Sequence, residues 1–348
     1  MKAAVLEKYN HFEWKDVPTP VITDDELLVK VGYASICGSD LHVYRGEFGA
    51  RTQLPLIPGH EFMGQVVGVG AKVQKIQKGE RIAVDPIFWC GQCPACQRGH
   101  YPACHSLKLK GIDTDGGFAE YVAVKEFMAY PVGATISDRH AALVEVLAIG
   151  FHACNRSGVK AGDSVAIWGA GRIGQVILRA VRTITSAPVF MVDIVPKRLQ
   201  MASALYSDVI PVSAMDTDPV AFIKNHTNGF GVDVAFEAVG HASSIPKRLH
   251  PIRSCVHAIR GGGMVCLLGL ADEAVPLVMR ELILKEGKIM TSRVSHGEFK
   301  TAIQYLEQGV LNPEALITGE IEGKEMQKGF DLLQSHPDQH LKILVRLS

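Results

Sequence analysis

Residues 164–174 read SVAIWGAGRIG, and this stretch decides the fold. Its first half is a short apolar run that predicts a buried strand, and residues 173–182 continue with the apolar spacing of a helix. Strand and helix are joined by a G-x-G-x-x-G motif formed by Gly169, Gly171 and Gly174. The first glycine allows a tight turn, the second lets a pyrophosphate approach the backbone, and the third lets helix and strand pack closely. The stretch therefore predicts a dinucleotide-binding unit, with the phosphates at the N-terminus of the helix.

Asp193 stands at the end of the next predicted strand, residues 188–192, about twenty residues after the glycine motif. A carboxylate in that place accepts hydrogen bonds from the adenosine ribose hydroxyls and repels a 2′-phosphate. The nearby cations Lys197 and Arg198 would instead suit a phosphate. The sequence thus favours NAD as the cofactor and leaves NADP open.

From about residue 160 onward, short apolar strands alternate with helical segments. Further strands are predicted at 232–235 and 264–268, and a further helix at 197–205. Such alternation predicts a parallel sheet that is covered by helices on both faces.

Residues 1–150 have a different texture, because short Val/Ile/Ala runs are punctuated there by Gly and Pro. This pattern predicts a β-rich region, with strands at 27–31, 64–69, 81–84 and 119–124. A helix at 298–308 and a strand at 342–346 follow near the C-terminus. We expect a two-domain α/β protein whose C-terminal residues rejoin the first domain.

Composition excludes several classes of protein. The chain has 348 residues, 47% of them hydrophobic and 21% charged, which is typical of a globular protein of about two domains. Lys+Arg and Asp+Glu each total 36, so the net charge is zero and indicates neither nucleic acid nor an anionic membrane as a partner. There is no secretory h-region and no apolar run of about 18 residues. We therefore expect a cytoplasmic protein with reduced thiols.

Four of the eight cysteines crowd into one segment: Cys90, Cys93, Cys96 and Cys104. The spacing C-x2-C-x2-C-x7-C lets one loop fold around a tetrahedral zinc ion. Four thiolates leave no open coordination position, so this zinc would be structural. Four free thiols in a surface loop would instead be prone to oxidation.

A second candidate centre is dispersed along the chain and consists of Cys37, His60, Glu61 and Glu145. The segment GHEFMG at 59–64 is not the zinc-protease motif, because Gly64 stands where the second histidine would be. Glu145 lies in the apolar run 142–149, where a buried carboxylate needs a cation or hydrogen-bond donors. Each residue has an ordinary structural explanation when taken alone. Together with the dinucleotide motif, they predict a catalytic metal site.

Ser39 and His42 follow Cys37 in the segment CGSDLH. A hydroxyl two residues from a metal ligand can take a proton from a metal-bound alcohol, and a histidine can pass that proton to water because its pKa lies near neutrality. Both residues are equally well explained as ordinary loop residues. The proton relay is therefore a hypothesis.

At these residues the chain resembles the zinc-containing medium-chain dehydrogenase/reductase family, in particular its sorbitol (polyol), L-threonine and 2,3-butanediol dehydrogenase branch. The most specific element is Gly59-His60-Glu61-x2-Gly64-x5-Gly70-x2-Val73, which is similar to the family's zinc signature. The four-cysteine segment, GGFAEY at 116–121 and the glycine motif follow in the family's order. The resemblance runs from end to end.

The resemblance implies an α/β fold that combines a GroES-like β-rich catalytic domain with a Rossmann domain, whose parallel sheet is doubly wound. The catalytic domain would span 1–150 and 290–348 and carry the structural zinc lobe at 88–106, and the Rossmann domain would span 151–289. The family also implies a homo-dimer or a homo-tetramer.

The resemblance further implies roles for individual residues. The catalytic zinc would be held by Cys37, His60 and either Glu61 or Glu145. The residues expected to contact NAD are Ile173, Asp193, Arg198, Leu268, Leu270 and Arg293. The residues expected to face the substrate are Tyr44, Glu145 and Arg293.

These residues predict the reversible NAD-linked oxidation of a secondary alcohol to a ketone. Zinc would lower the pKa of the bound alcohol, Ser39 would relay its proton through the ribose to His42, and the hydride would pass to the nicotinamide. Polar side chains in the expected pocket favour a polyol such as sorbitol. L-threonine and 2,3-butanediol are the nearest alternatives.

The sequence also bears on two classes of protein other than an enzyme. The zero net charge disfavours a nucleic-acid-binding zinc module. A non-catalytic nucleotide-binding zinc protein is only a remote alternative, because the set of Cys37, His60 and Glu145 predicts an open zinc site, for which such a protein has no use.

Overall fold

The computed structural model describes residues 1–240, 249–270, 274–275 and 277–348. The chain forms two compact units. Unit 1 comprises Met1–Val146 and His296–Ser348, and unit 2 comprises Leu147–Ser295. The expected domain boundaries at 150 and 290 therefore lie four and six residues from the divisions at 146 and 296.

The strands are β1 (Lys2–Lys8), β2 (His11–Asp16), β3 (Glu26–Ser35), β4 (Glu61–Val69), β5 (Arg81–Val84), β6 (Ile87–Phe88), β7 (Lys108–Leu109), β8 (Tyr121–Lys125), β9 (Ala129–Pro131), β10 (Val165–Trp168), β11 (Val189–Asp193), β12 (Val209–Ser213), β13 (Val232–Glu237), β14 (Ile259–Leu267), β15 (Lys288–Thr291), β16 (Ile317–Glu322) and β17 (Lys342–Arg346). The α-helices are α1 (Gly38–Arg45), α2 (Pro94–Gln97), α3 (Asp138–Ala141), α4 (Val144–Ser157), α5 (Arg172–Arg182), α6 (Pro196–Leu205), α7 (Pro219–Asn225), α8 (Pro251–Ala258), α9 (Met279–Ile283), α10 (Glu298–Glu307) and α11 (Met326–Ser335).

Unit 1 is built on a seven-stranded sheet with the order β16-β17-β3-β4-β5-β9, in which β8 also pairs with β3. Leu27, Val29 and Val31 of β3 are buried and alternate with less buried neighbours, as expected of a strand with one face toward the core. The C-terminal strand β17 pairs antiparallel with β3. This pairing brings the end of the chain into the sheet of the N-terminal residues.

Unit 2 contains a six-stranded parallel sheet with the order β12-β11-β10-β13-β14-β15. Numbered along the chain, this is the order 3-2-1-4-5-6 of a doubly wound dinucleotide-binding sheet. All four residues of β10 are buried, because helices cover both faces of such a sheet. The predicted Rossmann fold is confirmed, and the order of the strands reverses between β10 and β13.

Local sequence signals account for several helix ends. Asp218 caps α7, since its carboxylate accepts hydrogen bonds from the N–H groups of Val220 and Ala221, and Pro219 occupies the first helical position. Ser137 caps α3 in the same way. Throughout the described part of the chain, every helix is too short or too polar to cross a lipid bilayer.

Candidate metal centres and nucleotide site

The four-cysteine loop lies between β6 and β7 in unit 1 and brings its sulfur atoms together. The Sγ–Sγ distances are 3.5 Å for Cys93–Cys96, 3.6 Å for Cys90–Cys104 and 4.0 Å for Cys90–Cys96. Four sulfurs about 2.3 Å from a central zinc would lie about 3.8 Å apart in a tetrahedron. The loop therefore fits a zinc ion with four thiolate ligands.

Backbone N–H groups of the same loop point at these sulfurs. Cys90 N–H donates to Cys104 Sγ at 3.3 Å, and Cys93 N–H donates to Cys90 Sγ at 3.4 Å. Donation from the N–H groups of Cys96 and His105 lowers the pKa of Cys93 to about 6. These contacts favour the thiolate of Cys93, the form in which cysteine binds metal, whereas burial raises the pKa of Cys96 to about 12.

The dispersed centre is also in unit 1. One potential ligand atom from each of Cys37, His60 and Glu61 lies within 4.8 Å of the other two. Cys37 follows β3 and His60 precedes β4, and these strands pair so that Ser35 lies opposite Glu61. The antiparallel pairing therefore gathers residues that are distant in sequence.

Asp40, which the sequence analysis did not single out, orients two of these residues. One carboxylate oxygen accepts the Cys37 N–H at 2.8 Å, and the other lies 3.1 Å from His60 Nδ1. Because a carboxylate only accepts, Nδ1 donates and Nε2 is left to bind a cation. The pattern C-x-x-D at the start of α1, an acidic residue at the third helical position, was the signal that could have identified Asp40.

The surroundings of His60 favour positive charge. Burial of the ring opposes its protonated form, but the Asp40 carboxylate and the Cys37 sulfur raise the pKa of His60 well above its usual value. The same negative surroundings favour a divalent cation at Nε2. Ser39 Oγ lies 3.2 Å from this nitrogen.

Glu61 is fully buried and has a cationic partner of its own. Lys342 Nζ of β17 donates to both carboxylate oxygens, and Ser35 Oγ donates to Oε2. Burial alone would raise the pKa of Glu61, but the Lys342 ammonium and the His60 ring hold it below its usual value. Lys342 was missed from the sequence, although a lysine inside the apolar run of residues 341–345 signals a buried charge with a partner.

Glu145, in the first turn of α4, is 4% exposed, and its Oε2 atom is buried without a hydrogen-bond partner among the described residues. Burial, aided by the charge of Glu61, raises the pKa of Glu145 to about 8. No group of ligand atoms within the same 4.8 Å limit includes Glu145 in the described parts of the chain. Glu61 is thus nearer to Cys37 and His60, whereas Glu145 offers the unsatisfied oxygen.

His42 and Tyr44 both lie on α1 but differ in environment. The His42 side chain is 48% exposed, and its Nδ1 contacts the Glu47 carboxylate. Tyr44 is 3% exposed. Its hydroxyl donates to Asn10 O at 2.7 Å and accepts from Gln327 Nε2 at 2.7 Å. The Tyr44 hydroxyl is thus satisfied within unit 1, and a contact of Tyr44 with the substrate stays a prediction.

The glycine motif of unit 2 has the geometry that a dinucleotide requires. Gly169 adopts φ 94°, and a Cβ on Gly174 would lie 1.7 Å from Gly169 O. A Cβ on Gly171 would meet only Arg198 Nη1, at 4.0 Å. The backbone conformation thus requires glycine at positions 169 and 174. Gly171 faces open space beside the Arg198 guanidinium, and this space suits a pyrophosphate.

Asp193 ends β11 and is 8% exposed. Its oxygens accept the N–H groups of Ala170 at 2.6 Å and Val195 at 2.8 Å. It therefore holds the glycine turn, and each oxygen retains a second acceptor site for a ribose hydroxyl.

The remaining residues that were expected to contact the nucleotide also lie in unit 2. Ile173 is half-buried in the first turn of α5, and Leu268 N–H donates to Glu237 O at 2.9 Å. Leu270 is 80% exposed and Arg293 is also exposed. These positions leave the nucleotide contacts of all four as predictions.

Comparison with known proteins gives one consistent picture. Residues 23–134 match the alcohol dehydrogenase GroES-like domain, and residues 173–308 match the zinc-binding dehydrogenase model. The chain is 30% identical over 349 residues to a sorbitol dehydrogenase of Bacillus subtilis strain 168, covering 99% of this chain and 97% of the relative. It is 35% identical over 279 residues to an L-threonine 3-dehydrogenase of Symbiobacterium thermophilum, covering 78% and 77%.

Among solved structures, an alcohol dehydrogenase from E. coli CFT073 in complex with NADH superposes with a TM-score of 0.91. It is 28% identical in sequence, and the match covers 100% of this chain and 99% of that one. The expected GroES-like and Rossmann folds are both confirmed by these matches.

Proposed function

This chain belongs to the zinc-binding dehydrogenase family and acts on CH–OH groups, and we propose that it catalyses the reversible NAD-linked oxidation of a polyol such as sorbitol to the ketone. One observation carries the proposal. Ligand atoms of Cys37, His60 and Glu61 lie within 4.8 Å of one another, and Glu145, whose buried Oε2 has no hydrogen-bond partner among the described residues, interacts electrostatically with Glu61 and His60. Three protein ligands with a fourth position open are the arrangement of a catalytic zinc.

The residues that would hold the catalytic zinc are Cys37, His60 and one of the two glutamates, while the four-cysteine loop would hold a structural zinc. When bound, zinc supplies a Lewis acid for the alcohol oxygen, and NAD supplies the hydride acceptor. Asp40 holds His60 with Nε2 toward the metal position. Whichever glutamate is not a ligand remains as an acceptor for a substrate hydroxyl.

Proton movement falls to Ser39 and His42. The Ser39 hydroxyl, 3.2 Å from His60 Nε2, lies beside the metal position and can take the proton that the alcohol loses. His42 is half-exposed and can carry a proton to water. A half-buried donor and a half-exposed acceptor on one short helix suit a path that leads from the site to solvent.

NAD is the nucleotide that the charges of unit 2 favour. The Asp193 carboxylate stands where the adenosine ribose is expected and repels a 2′-phosphate. Arg198 lies near Gly171, and we assign its charge to the pyrophosphate.

A polyol is favoured because the centre offers two carboxylates, which accept hydroxyl hydrogens. The similarity to a sorbitol dehydrogenase over nearly the whole chain supports this class. L-threonine is the second candidate, since the similarity to a threonine dehydrogenase is 35% and a carboxylate also binds an amine. 2,3-Butanediol remains a third possibility to be measured.

The test is NADH formation with sorbitol, xylitol, L-threonine, 2,3-butanediol and a simple aliphatic secondary alcohol, with and without a zinc chelator and with NADP in place of NAD. We expect a polyol to exceed the other substrates in kcat/KM by about tenfold or more, and the chelator to abolish turnover. L-threonine in first place would replace the polyol assignment. Zinc and NADH binding without turnover of any substrate would leave the fold intact and refute the substrate class.

We also propose a homo-dimer or homo-tetramer in the cytoplasm. Exposed apolar side chains at the C-terminal end of α9 support a subunit interface, since Ile283 and Leu284 are 68% and 74% exposed. A reducing compartment suits metal-binding thiolates. Sedimentation velocity measures the oligomer directly, and a monomer at all concentrations would contradict it.

A further inference from the structure

The end of α1 folds the chain back over His42. Gly46 adopts φ 78°, Gly46 N–H donates to Val43 O at 3.0 Å, and Glu47 N–H donates to His42 O at 2.9 Å. These two hydrogen bonds and the left-handed glycine define a Schellman motif. In this motif the N–H of the second residue after the helix donates to the carbonyl of a residue in the last helical turn, here His42. The motif commonly pairs two apolar side chains at these positions. Here the pair is Glu47 and His42.

The Glu47 carboxylate contacts the imidazole at one defined atom, Nδ1. Its other oxygen lies 3.7 Å from Arg45 Nη1, and Arg45 also donates to Gln334. The Phe48 ring lies edge-on to the imidazole, with 6.1 Å between ring centroids. Two residues of the same turn thus contact the pair, Arg45 at the carboxylate and Phe48 at the ring.

The contact at Nδ1 decides which nitrogen of neutral His42 carries the proton. An ionised carboxylate only accepts hydrogen bonds, so Nδ1 must donate and Nε2 presents a lone pair. Free histidine in water favours the opposite tautomer. Without Glu47, Nε2 would therefore be occupied by a proton in most neutral molecules.

We propose that Glu47 is a positioning residue that holds His42 as the Nδ1–H tautomer, so that Nε2 accepts a proton from the site. This inference rests on the proposed function, in which His42 carries protons to solvent. During alcohol oxidation His42 gains one proton at Nε2 and becomes imidazolium, and it returns to the neutral Nδ1–H form when the same Nε2 proton is lost to water. Glu47 stays ionised and accepts the Nδ1–H bond throughout.

A second histidine–glutamate pair in unit 1 provides a matched control. His11 Nε2 lies 3.7 Å from Glu13 Oε1 on β2, beyond hydrogen-bond distance, and the side chains are 47% and 51% exposed. The His42–Glu47 side chains are 48% and 44% exposed. Glu13→Ala therefore removes the same surface charge as Glu47→Ala without altering the turn that carries His42.

The experiment compares Glu47→Ala, Glu47→Gln and Glu13→Ala in the zinc-loaded full chain. Long-range ¹H–¹⁵N NMR of ¹⁵N-histidine-labelled protein reports the tautomer, with His42 assigned by the loss of its signals in His42→Asn. We expect Nδ1–H in the parent and in Glu13→Ala, and Nε2–H in Glu47→Ala. Glu47→Gln should retain Nδ1–H, because its amide oxygen still accepts.

Kinetics follow on the best substrate from the panel. We expect kcat to fall about fivefold in Glu47→Ala, the scale of an exposed ion pair, with KM and NADH affinity unchanged and most of kcat recovered in Glu47→Gln. An unchanged tautomer in Glu47→Ala would overturn the inference, and so would a changed tautomer with an unchanged kcat. Because the tautomer is measured without substrate, a shift together with a panel that shows no turnover supports the positioning by Glu47 while refuting the proposed function.

Discussion

The two cysteine-containing centres of unit 1 are assembled in different ways. Cys90, Cys93, Cys96 and Cys104 all lie in one loop between β6 and β7. The second centre takes Cys37 from just after β3 and His60 and Glu61 from the start of β4, and it interacts electrostatically with Glu145 of α4. A loop of fifteen residues can fold around an ion by itself. The second centre exists only where strands pair and a helix packs beside them.

The two centres also balance charge differently. In the loop, backbone N–H groups point at the sulfurs, and the Cys90 side chain is exposed. In the second centre, the buried Glu61 is balanced by Lys342, and Asp40 orients His60. Water can solvate charge on the exposed part of the loop, but the charge of a buried side chain must be balanced by another side chain. The second centre therefore depends on residues outside the candidate ligand set.

Removal of one sulfur from each centre should separate their roles, and Cys37→Ser should give the largest effect. We expect kcat to fall about 10³-fold or more, because metal assistance supplies several kcal/mol of transition-state stabilisation. Zinc content should fall from about two ions per chain to about one, while NADH affinity is retained. Elemental analysis and NADH fluorescence titration measure these quantities. Full activity in Cys37→Ser would refute the assignment of this centre as catalytic.

Lys342→Met tests the balance of charge inside the second centre. The change leaves the fully buried Glu61 without its cationic partner, so we expect the metal-free protein to lose about 3–5 kcal/mol of unfolding free energy in urea. Lys328→Met, which breaks an exposed pair with Glu325, serves as the control and should leave stability nearly unchanged. A loss below about 1 kcal/mol in Lys342→Met would mean that Glu61 is not charged in the folded state.

Cys93→Ser should affect stability more than chemistry. Loss of the loop zinc removes a metal whose binding free energy contributes to folding, and we expect Tm to fall by about 10 °C. The zinc content should again fall to about one per chain. The remaining activity at low temperature should stay close to that of the parent. A loss of kcat as large as that of Cys37→Ser would contradict the division of roles.

Asp85, on the segment that leads from β5 to the four-cysteine loop, gives the smallest of these effects. Burial raises the pKa of Asp85 to about 7, although the Ile87 N–H partly opposes the shift. Since the folded pKa exceeds the unfolded value, the stabilisation is present below about pH 4 and is lost as the pH rises to 7. As the pH rises from 5 to 7, the unfolding free energy of Asp85→Asn should therefore increase by about 2–3 kcal/mol relative to that of the parent. Urea unfolding at both pH values measures this difference.

Asp113→Asn provides a control of opposite sign. Burial would raise the pKa of Asp113, but its hydrogen bonds to Arg51 and to Leu109 N–H hold it below its usual value. The stability that Asp113 contributes is therefore present at neutral pH and lost in acid. If the unfolding free energies of Asp85→Asn and Asp113→Asn, each compared with the parent, changed with pH in the same direction, the two pKa shifts could not explain the pH dependence.

Elements with a local signal were predicted closely. The predicted helix at 197–205 differs from α6 (Pro196–Leu205) by one residue at its start, and the predicted strand at 342–346 coincides with β17 (Lys342–Arg346). The four sulfurs converge as their spacing indicated. These features depend on periodicity and spacing within a few residues, which the sequence displays directly.

Features that depend on partners from distant strands were not predicted. Lys342 reaches Glu61 because β17 and β4 lie on either side of β3. The local sequence of neither strand indicates that the other is nearby. The hydrogen bonds of the Tyr44 hydroxyl on α1 to Asn10 O and Gln327 Nε2 were not predicted either. The direction of a side chain on a short helix is decided by what packs against it.

The sequence alone determined the Rossmann unit, the nucleotide motif and the composition of both cysteine-containing centres, because glycine geometry and ligand spacing act over short distances. Only the tertiary structure decided which buried charges are paired: Lys342 with Glu61, Asp40 with His60, and Glu145 with an oxygen left unsatisfied. The physical reason is that burial makes an uncompensated charge costly. A buried carboxyl therefore either meets a cation that the sheet brings near, as Glu61 does, or has its pKa raised, as Glu145 does.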